Sequence, residues 1–337
     1  MHTKALILCC CLLSIVLSVV PAYASGSGTP EQGSAWLVYW DTEGALEEAR
    51  QLGNALHSIV YFAAYFDEND YLFVPSGVDD LYFDTEAFYM EGMPVRYLSV
   101  VNDREQASGG TLVKDTQILE MLFETPETMD AHIRDLISLA KDYEYDGLEI
   151  DYERIRDQAL WEKFAEFIHM LVPRAEEAGL QLRVLFEPSA PLRKLTFPEG
   201  PEYVMMCYNL FGDHSGPGPK ADDDFLIKMI ESMQYLPGRK TFALATGGFH
   251  WIGGKSEAAI TQTQALDLAD DNHAEPTRDP ACGAMTYTFQ DSLKRTHEVW
   301  FADVETLHRW ADIIWLHGEY GVDIWRLGGN LGFEKLL

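Results

Sequence analysis

The segment Asp146–Glu153 reads Asp-Gly-Leu-Glu-Ile-Asp-Tyr-Glu and carries the residue types best suited to chemistry. Three carboxylates, Glu149, Asp151 and Glu153, alternate in it with apolar residues, which is the two-residue period of a β-strand. The acids therefore share one face of the strand, each about 6.6 Å from the next. A carboxyl group among other carboxylates has a raised pKa and can hold a proton near neutral pH. A protonated acid beside an ionised carboxylate is what glycosidic bond cleavage requires.

Two other interpretations of this acidic segment stay open. A solvated strand face could carry the same residues, although acidic side chains are depleted in strands and like charges repel. A metal site could also use carboxylates, but no histidine lies near the segment at ligand spacing. We therefore expect neither a metal nor another cofactor.

The segment resembles the active-site strand of glycoside hydrolase family 18, the chitinases and endo-N-acetylglucosaminidases. The pattern of that strand is Asp-Gly-x-Asp-x-Asp-x-Glu. Asp146, Gly147, Asp151 and Glu153 match it position by position. Glu149 departs from it, because the family usually has Asp there.

Weaker matches to the same family follow in order along the chain. They are Met206-Cys207-Tyr208-Asn209, with Asn209 in place of an Asp, Gly216–Pro219, Gly248–Trp251, Val299–Phe301 and Ile324–Gly329, which contains Trp325. The resemblance runs from about Ala35 to the C-terminus. It is greatest to the bacterial branch related to spore-cortex and spore-germination hydrolases.

The resemblance implies a role for each matching residue. Glu153 would be the general acid, and Asp151 would orient the acetamido group of the substrate. The N-acetyl carbonyl oxygen would then attack the anomeric carbon in place of an enzyme nucleophile. Tyr208 would donate a hydrogen bond to the acetamido group, and Trp325 would form the floor beneath the sugar ring. Glu149 would be the fourth catalytic residue, as the partner of Asp151, and its departure from the family's Asp leaves the pH optimum and the rate open.

Other residues are weaker candidates for substrate contact. Asn209 keeps hydrogen-bonding capacity without the charge of the family's Asp. Trp40, Tyr61, Trp251 and Trp300 could stack on sugar rings or could belong to the core. Glu187 ends a predicted strand and His250 follows another, so each could be a site residue or an ordinary structural one.

The N-terminal 24 residues have the features of a secretory signal peptide. Lys4 precedes an apolar stretch from Ala5 to Val20, and Ala22-Tyr23-Ala24 provides small residues where a signal peptidase cleaves. A lipoprotein would instead require cleavage at one of three cysteines in the apolar stretch. The Gly- and Ser-rich residues 25–34 are predicted to be a flexible tether. We expect a secreted or cell-surface protein.

Charge and cysteine content limit the partners and the compartment. The formal net charge of −29 disfavours nucleic acid and anionic membranes as partners. A neutral glycan, or one carrying amines, fits this charge better, and the resemblance implies a glycan containing N-acetylglucosamine as the partner. We expect no membrane insertion and a monomer. Only Cys207 and Cys282 follow the signal peptide, so the protein is no disulfide scaffold. We expect them to be unpaired, because strand alternation points Cys207 away from Tyr208.

The chain from residue 35 to residue 337 alternates strand-like and helix-like segments, which predicts an α/β fold. Eight strands are predicted, at Ala35–Trp40, Ser58–Phe66, Val95–Val101, Gly147–Tyr152, Gln181–Phe186, Tyr203–Tyr208, Thr241–Ala245 and Val322–Arg326. Helices are predicted at Glu43–Leu56, Pro126–Asp142, Gln158–Ala178 (kinked or broken at Pro173), Asp222–Tyr235 and Val304–Glu319. The expected architecture is a (β/α)8 TIM barrel with a small insertion, about residues 252–299, after the seventh strand.

Three functions compete at this stage. The first is a secreted hydrolase of β-linked N-acetylglucosamine glycans, either chitin-like or peptidoglycan-like. The second is a catalytically silent barrel that binds such glycans, which the presence of Glu153 disfavours. The third is a two-carboxylate glycosidase on another sugar, for which Glu187 is the candidate second carboxylate.

We predict that the exported protein begins at or near Ser25, because the apolar stretch ends in a small-residue cleavage site. N-terminal sequencing of the secreted protein checks this. An intact Met1 or a lipid-modified cysteine at the N-terminus would contradict it.

Overall fold

The computed structural model describes residues 33–87, 89 and 92–332. The predicted signal peptide and almost all of the predicted tether lie outside the described residues. Ser34, assigned to the tether, already belongs to the first strand.

Eight parallel strands close into a barrel, as predicted. They are Ser34–Val38, Ser58–Phe66, Val95–Glu105, Gly147–Asp151, Gln181–Phe186, Glu202–Met206, Lys240–Ala245 and Gly321–Trp325. Each strand pairs with the next in the chain, and the first pairs with the eighth at Ala35 and Ile324. We number these barrel strands one to eight, and we call the face at their C-terminal ends the mouth.

Eight α-helices accompany these strands in the described part of the chain. They are Thr42–Leu52, Ser76–Glu86, Thr116–Leu122, Pro126–Asp142, Gln158–Glu177, Asp223–Met233, Gln262–Asp271 and Val304–Leu316. Three of them, the second, third and seventh, were not predicted. The fully described connection between strands five and six contains only a short 3-10 helix, Leu192–Lys194.

The helix Pro126–Asp142 begins where the sequence predicts. The Thr125 hydroxyl accepts the Thr128 backbone N–H, and the Thr128 hydroxyl accepts the Thr125 N–H. Pro126 occupies the first turn, where an N–H would have no helical partner. The following helix, Gln158–Glu177, continues through Pro173, so the expected break is wrong, and the alternative of a kink there stays a prediction. Its buried residues on both sides of the proline, such as Leu171 and Ala175, keep it packed on the barrel.

The insertion after strand seven is a small subdomain of its own. Its antiparallel sheet contains the strands Gly247–Ile252, Lys255–Ile260, Thr277–Arg278, Met285–Gln290 and Thr296–Ala302. The helix Gln262–Asp271 packs on this sheet through Ala265 and Ala269. The insertion therefore extends from Gly247 to Ala302, somewhat beyond the predicted limits, because its first and last strands pair with each other.

Two short hairpins extend barrel strands at the mouth. Leu72–Phe73 pairs with the end of strand two, and Thr111–Leu112 pairs with the end of strand three. The second hairpin brings the residues that follow it, including Lys114, back towards the end of strand four.

Apolar side chains fill the layer between the barrel and its helices and part of the barrel interior. The interior group comprises Trp36, Val60, Tyr97, Leu185, Val204, Met206 and Ala243. Cys207 belongs to the outer layer, as strand alternation predicts. Cys207 and Cys282 are both buried and unpaired, so the prediction of free thiols is confirmed. No helix in the described part of the chain is long and apolar enough to cross a membrane.

A buried arginine binds carboxylates inside the barrel below the mouth. The Arg183 guanidinium, on strand five, lies 2.9 Å from Glu149, 2.9 Å from Glu202 and 2.5 Å from Asp323. It also donates to the Ser34 hydroxyl at 3.2 Å. These partners lie on strands one, four, six and eight, so one side chain connects five of the eight strands. Periodicity does not predict this cluster, because its members are far apart in sequence.

We predict that Arg183→Met lowers the free energy of unfolding by about 3–5 kcal/mol at pH 7, because it leaves buried carboxylates without their cation. Burial already raises the pKa of Glu149 and Asp323 while Arg183 opposes the rise. Without Arg183 both pKa values rise further, so these acids destabilise the fold above their unfolded pKa of about 4. The loss should therefore shrink as the pH falls towards about 4.

Urea unfolding between pH 4 and pH 8 measures this effect. Arg134→Met is the matched control, since Arg134 forms an exposed ion pair within one helix, worth at most about 1 kcal/mol. Equal losses in the two variants at pH 7 would show that the Arg183 cluster does not stabilise the barrel.

Candidate active site

The acidic segment is strand four of the barrel, and its lower end is fixed by two contacts. Asp146 accepts hydrogen bonds from the Arg96 backbone N–H at 3.0 Å and from its guanidinium Nε at 2.9 Å. Gly147 leaves room for neighbouring strands, because a Cβ there would lie 2.6 Å from the Gln181 carbonyl oxygen and from the Tyr97 ring. These contacts set the register of strand four against strands three and five.

Glu149 lies below the mouth and is fully buried. Its Oε1 accepts the Trp36 indole N–H at 2.7 Å, and its Oε2 accepts the Arg183 Nε–H at 2.9 Å. Burial raises the pKa of Glu149, and Arg183 opposes this rise. Both oxygens therefore have structural partners, and Glu149 acts on Asp151 through its charge.

Asp151, one strand period above Glu149, is only 4 % exposed. Its Oδ1 is buried and has no hydrogen-bond partner among the described residues. Burial first, and then the neighbouring Glu153, raise the pKa of Asp151 well above its usual range, while Lys114 opposes the rise. A buried carboxyl oxygen without a partner is unusual in a native fold and is typical of a group that a ligand completes.

Glu153 lies two residues beyond the last residue of strand four and is held by its backbone. Its N–H donates to the Asn102 Oδ1 at 2.9 Å, and its carbonyl accepts from the Asn102 Nδ2 at 3.2 Å. The next residue, Arg154, has a left-handed φ of 60° and donates its backbone N–H to Glu187 at 2.7 Å. A side chain of strand three and one that directly follows strand five thus fix the chain at and after the acid.

The Glu153 side chain is mostly buried and forms an ion pair with Lys114. Burial raises the pKa of Glu153 above its ordinary value, and the Lys114 ammonium opposes this rise. Glu187 and Asp103 add smaller repulsions that favour the protonated form. The site therefore contains two coupled carboxyl groups, Asp151 and Glu153, at the C-terminal end of one strand.

An aromatic surface faces these carboxyl groups across the barrel interior. The Tyr208 and Trp325 rings stack with centroids 6.5 Å apart and an interplanar angle of 19°. Phe62 packs edge-on against Trp325 at 4.9 Å. Burial, followed by Asp151 and Glu153, raises the pKa of Tyr208 far above its usual range, so its hydroxyl stays a neutral donor.

Two other predicted substrate contacts are accessible at the mouth. Trp40 is 53 % exposed and packs its edge against Phe62, with 5.9 Å between the ring centroids. Asn209 is exposed and has a left-handed φ of 58° directly after Tyr208. Both residues therefore remain candidates for contact with a bound glycan.

Tyr61 and Trp251 are corrections to the predicted substrate-binding set. Tyr61 is fully buried in the outer layer, where its hydroxyl hydrogen-bonds Thr85, because strand alternation turns Phe62 and not Tyr61 into the barrel. Trp251 is also fully buried, and its indole N–H donates to the Ser215 carbonyl at 3.2 Å. Neither ring is available for stacking on a sugar.

The weaker candidates have structural partners. His250 is buried in the insertion sheet and contacts His297, with 2.8 Å between ring nitrogens. Trp300 packs against the outer core and donates its indole N–H to Glu298 at 2.8 Å. Glu187 accepts the Arg154 backbone N–H, as described above, and lies 3.9 Å from the Arg156 guanidinium.

Four residues at or below the site were not predicted from the sequence: Trp36, Asn102, Lys114 and Arg183. The polar pair Asn102-Asp103 directly after a buried apolar strand was an available signal, since strand ends form the mouth of a barrel. No signal of this kind marks Lys114, because it lies in a Gly-rich loop, eleven residues after Asp103. Within the described ranges, no group of three or more His, Cys, Asp or Glu residues has metal-site geometry.

The comparisons with known proteins agree with this architecture. The chain matches no protein-family model. It is 24% identical over 234 residues to YdhD of Bacillus subtilis (strain 168), provisionally described as a sporulation-specific glycosylase; the match covers 65% of this chain and 55% of YdhD. The chain thus spans about half the length of the curated relatives that it matches.

Solved structures share the fold over nearly the whole chain. A chitinase from Chromobacterium violaceum superposes with a TM-score of 0.74 at 16% identity, covering 90% of this chain and 96% of that protein. The Bacillus cereus spore cortex-lytic enzyme SleL gives a TM-score of 0.74 at 17% identity, covering 92% of this chain and 73% of SleL. The barrel is therefore that of the chitinases and spore cortex-lytic enzymes, and the resemblance identified from the strand-four motif is confirmed.

Proposed function

We propose that this protein is a secreted glycoside hydrolase that cleaves β-linked N-acetylglucosamine glycans, chitin-like or peptidoglycan-like, by substrate-assisted retaining catalysis. The observation that carries the proposal is the pairing of Asp151, with its unpartnered buried oxygen, and Glu153 at the mouth beside the Tyr208–Trp325 stack. The similarity to glycosylases and chitinases supports the same reaction class.

Each of these residues has a chemical task in the proposed reaction. Protonated Glu153 donates its proton to the glycosidic oxygen as the bond to the leaving sugar breaks. The acetamido carbonyl oxygen of the bound sugar attacks the anomeric carbon and forms a cyclic oxazolinium ion. Asp151 accepts the acetamido N–H and stabilises the positive charge, while the Tyr208 hydroxyl orients the same group. Glu153 then removes a proton from the water that opens the ring.

The aromatic surface accounts for the position of the sugar. The Trp325 ring provides an apolar floor, and Phe62 and Trp36 hold that ring from two sides. Burial at this floor also excludes water, which strengthens the electrostatic interactions of the carboxyl pair. Trp40, exposed at the rim, is placed to stack on a further sugar of the chain.

A two-carboxylate mechanism has less support. Its second carboxylate would be Glu187, whose Oε2 is occupied by the Arg154 N–H. Glu187 also directly follows strand five, which pairs with strand four, whereas a nucleophile has to approach the opposite face of the sugar from Glu153. The remaining alternative is a barrel that binds such glycans without cleaving them.

We predict that Glu153→Gln keeps the fold and glycan binding but lowers kcat by about 10²–10⁴-fold, the usual contribution of a general acid. Glu187→Gln is the matched control, since the amide oxygen can still accept the Arg154 N–H; it should lose less than about tenfold, below that range. Turnover on chitooligosaccharides, peptidoglycan and high-mannose N-glycans measures both variants.

Three outcomes of that panel are decisive. Unchanged turnover in Glu153→Gln overturns the assignment of the acid. A large loss in Glu187→Gln favours the two-carboxylate mechanism. Binding without cleavage by the unmodified protein favours the silent barrel.

We predict that substrates with free amines in place of N-acetyl groups are not cleaved, because they lack the attacking carbonyl oxygen. A thiazoline analogue of the cyclic intermediate should inhibit competitively, and Asp151→Asn should weaken that inhibition by removing the charge opposite the ring. Cleavage rates on chitosan and chitin oligomers of equal length, with inhibition constants for the thiazoline, provide the measurement. Equal rates on the two oligomers would exclude substrate assistance.

A further inference from the structure

Lys114 occupies a fixed position in the loop that follows strand three. Its backbone N–H donates to the Asp103 carboxylate at 2.7 Å, and the next residue, Asp115, donates its N–H to the Asn102 carbonyl at 2.7 Å. Asp115 is also paired with the Arg104 guanidinium at 2.7 Å. The loop is thus attached to the end of strand three, and Lys114 itself has a left-handed φ of 57°.

This fixed backbone directs the Lys114 ammonium to the Glu153 carboxylate. The pair is partly shielded from solvent, with side chains 31 % and 13 % exposed. An ammonium in contact favours the ionised form of a carboxyl group, yet a general acid has to carry a proton. The ion pair between Lys114 and Glu153 therefore has to separate before the proposed reaction can begin.

The location of the pair indicates what separates it. Glu153 has to reach the oxygen of the bond that is cleaved, so an ammonium in contact with Glu153 lies within reach of the sugar on the leaving-group side. A second cation lies nearby, because the Arg154 guanidinium donates to the Val113 carbonyl in the same loop at 3.3 Å. Two cations at this position stand out in a chain with a net charge of −29. They suit an anionic group on the substrate.

We propose that Lys114 is a specificity-determining residue that exchanges Glu153 for a carboxylate on the leaving-group sugar. The inference rests on the proposed function and narrows its substrate class to N-acetylhexosamine glycans that carry a free carboxylate, such as the lactyl group of muramic acid that bears no stem peptide. The Lys114 ammonium then pairs with the bound substrate carboxylate instead of with Glu153. Glu153 can therefore hold a proton. Neutral glycans offer no such partner, so the ion pair has to separate without compensation and they should be cleaved more slowly.

The other acidic groups around Glu153 also favour its protonated form once Lys114 has moved. Asp151 at the end of strand four, Asp103 on strand three and Glu187 directly after strand five are all acidic, and each favours the protonated form of Glu153. The exposed Arg154 guanidinium lowers the pKa of Asp103. Removal of the Lys114 charge should therefore raise the pKa of Glu153. Turnover depends on the protonated acid, so its alkaline limit should then move to higher pH.

Binding of inert ligands tests the exchange independently of turnover. The probes are a thio-linked N-acetylglucosaminyl-N-acetylmuramic acid and its neutral amide, which differ only in the carboxylate. We expect the unmodified protein to bind the acid at least about tenfold more tightly, the usual order for a hydrogen bond to a charged group. Lys114→Met, which keeps an unbranched side chain of nearly the same length, should reduce this preference to about twofold or less. Calorimetry gives the dissociation constants, and thermal unfolding verifies that the variant is folded.

Lys141→Met is the matched control. Lys141 is exposed in the last turn of the helix Pro126–Asp142, at the opposite end of the barrel from the mouth, and its removal changes the net charge equally. This control should keep the full preference, which separates a local contact from the overall charge of the protein. The same three proteins assayed on oxygen-linked substrates should show the alkaline shift for Lys114→Met alone.

The outcomes distinguish this inference from the proposed function. Equal binding of the acid and the amide by the unmodified protein, or an unchanged preference in Lys114→Met, overturns the role of Lys114 whether or not any glycan is cleaved. A preference for the acid that disappears in Lys114→Met supports that role. If the same protein then cleaves no oxygen-linked substrate, the hydrolase proposal fails while the carboxylate site stands.

Discussion

Arg183 lies fully buried inside the barrel and contacts Glu149, Glu202 and Asp323. A charge in that position is unstable without partners, and the buried carboxylates of Glu149 and Asp323 are unstable without a cation, so each side depends on the other. Because the partners lie on strands four, six and eight, and Ser34 adds strand one, the cluster fixes the relative heights of five strands. The height of strand four decides which of its acids reach the mouth. The geometry of the candidate site therefore depends on an ion cluster that no substrate touches.

The three acids of strand four have the same chemistry but different environments. Glu149 has both oxygens occupied, by Trp36 and Arg183, and belongs to the structural layer. Asp151, two residues further on, is almost as deeply buried but retains a carboxyl oxygen without a partner in the described structure. Glu153 reaches the end of the strand and has a cation beside it. Structural and reactive carboxylates thus differ in whether their hydrogen-bonding capacity is already satisfied.

The same burial that destabilises these acids makes them suitable for catalysis. Desolvation is the largest cause of the raised pKa of both Asp151 and Glu153, and mutual repulsion adds to it at Asp151. Because of its raised pKa, a buried carboxyl group stays protonated closer to neutral pH than an exposed one does. Lys114 limits this effect in the absence of a ligand, so the loop after strand three and the end of strand four form one electrostatic unit. Proteins commonly accept a loss of stability at sites of this kind.

The sequence by itself determined the barrel, the insertion after strand seven, the free thiols, and the placement of Asp151, Glu153, Tyr208 and Trp325 at or near its mouth. Period-two alternation and an ordered set of local motifs carry that information, since both are properties of neighbouring residues. Only the tertiary structure decided which aromatic rings are accessible: Tyr61 and Trp251 are buried, whereas Trp40 is exposed. It also decided the partners of Glu149 and Glu153, because Arg183 and Lys114 reach them from other strands and loops. Contacts between residues distant in sequence leave no periodic signal, and burial depends on what the rest of the chain places against each side chain.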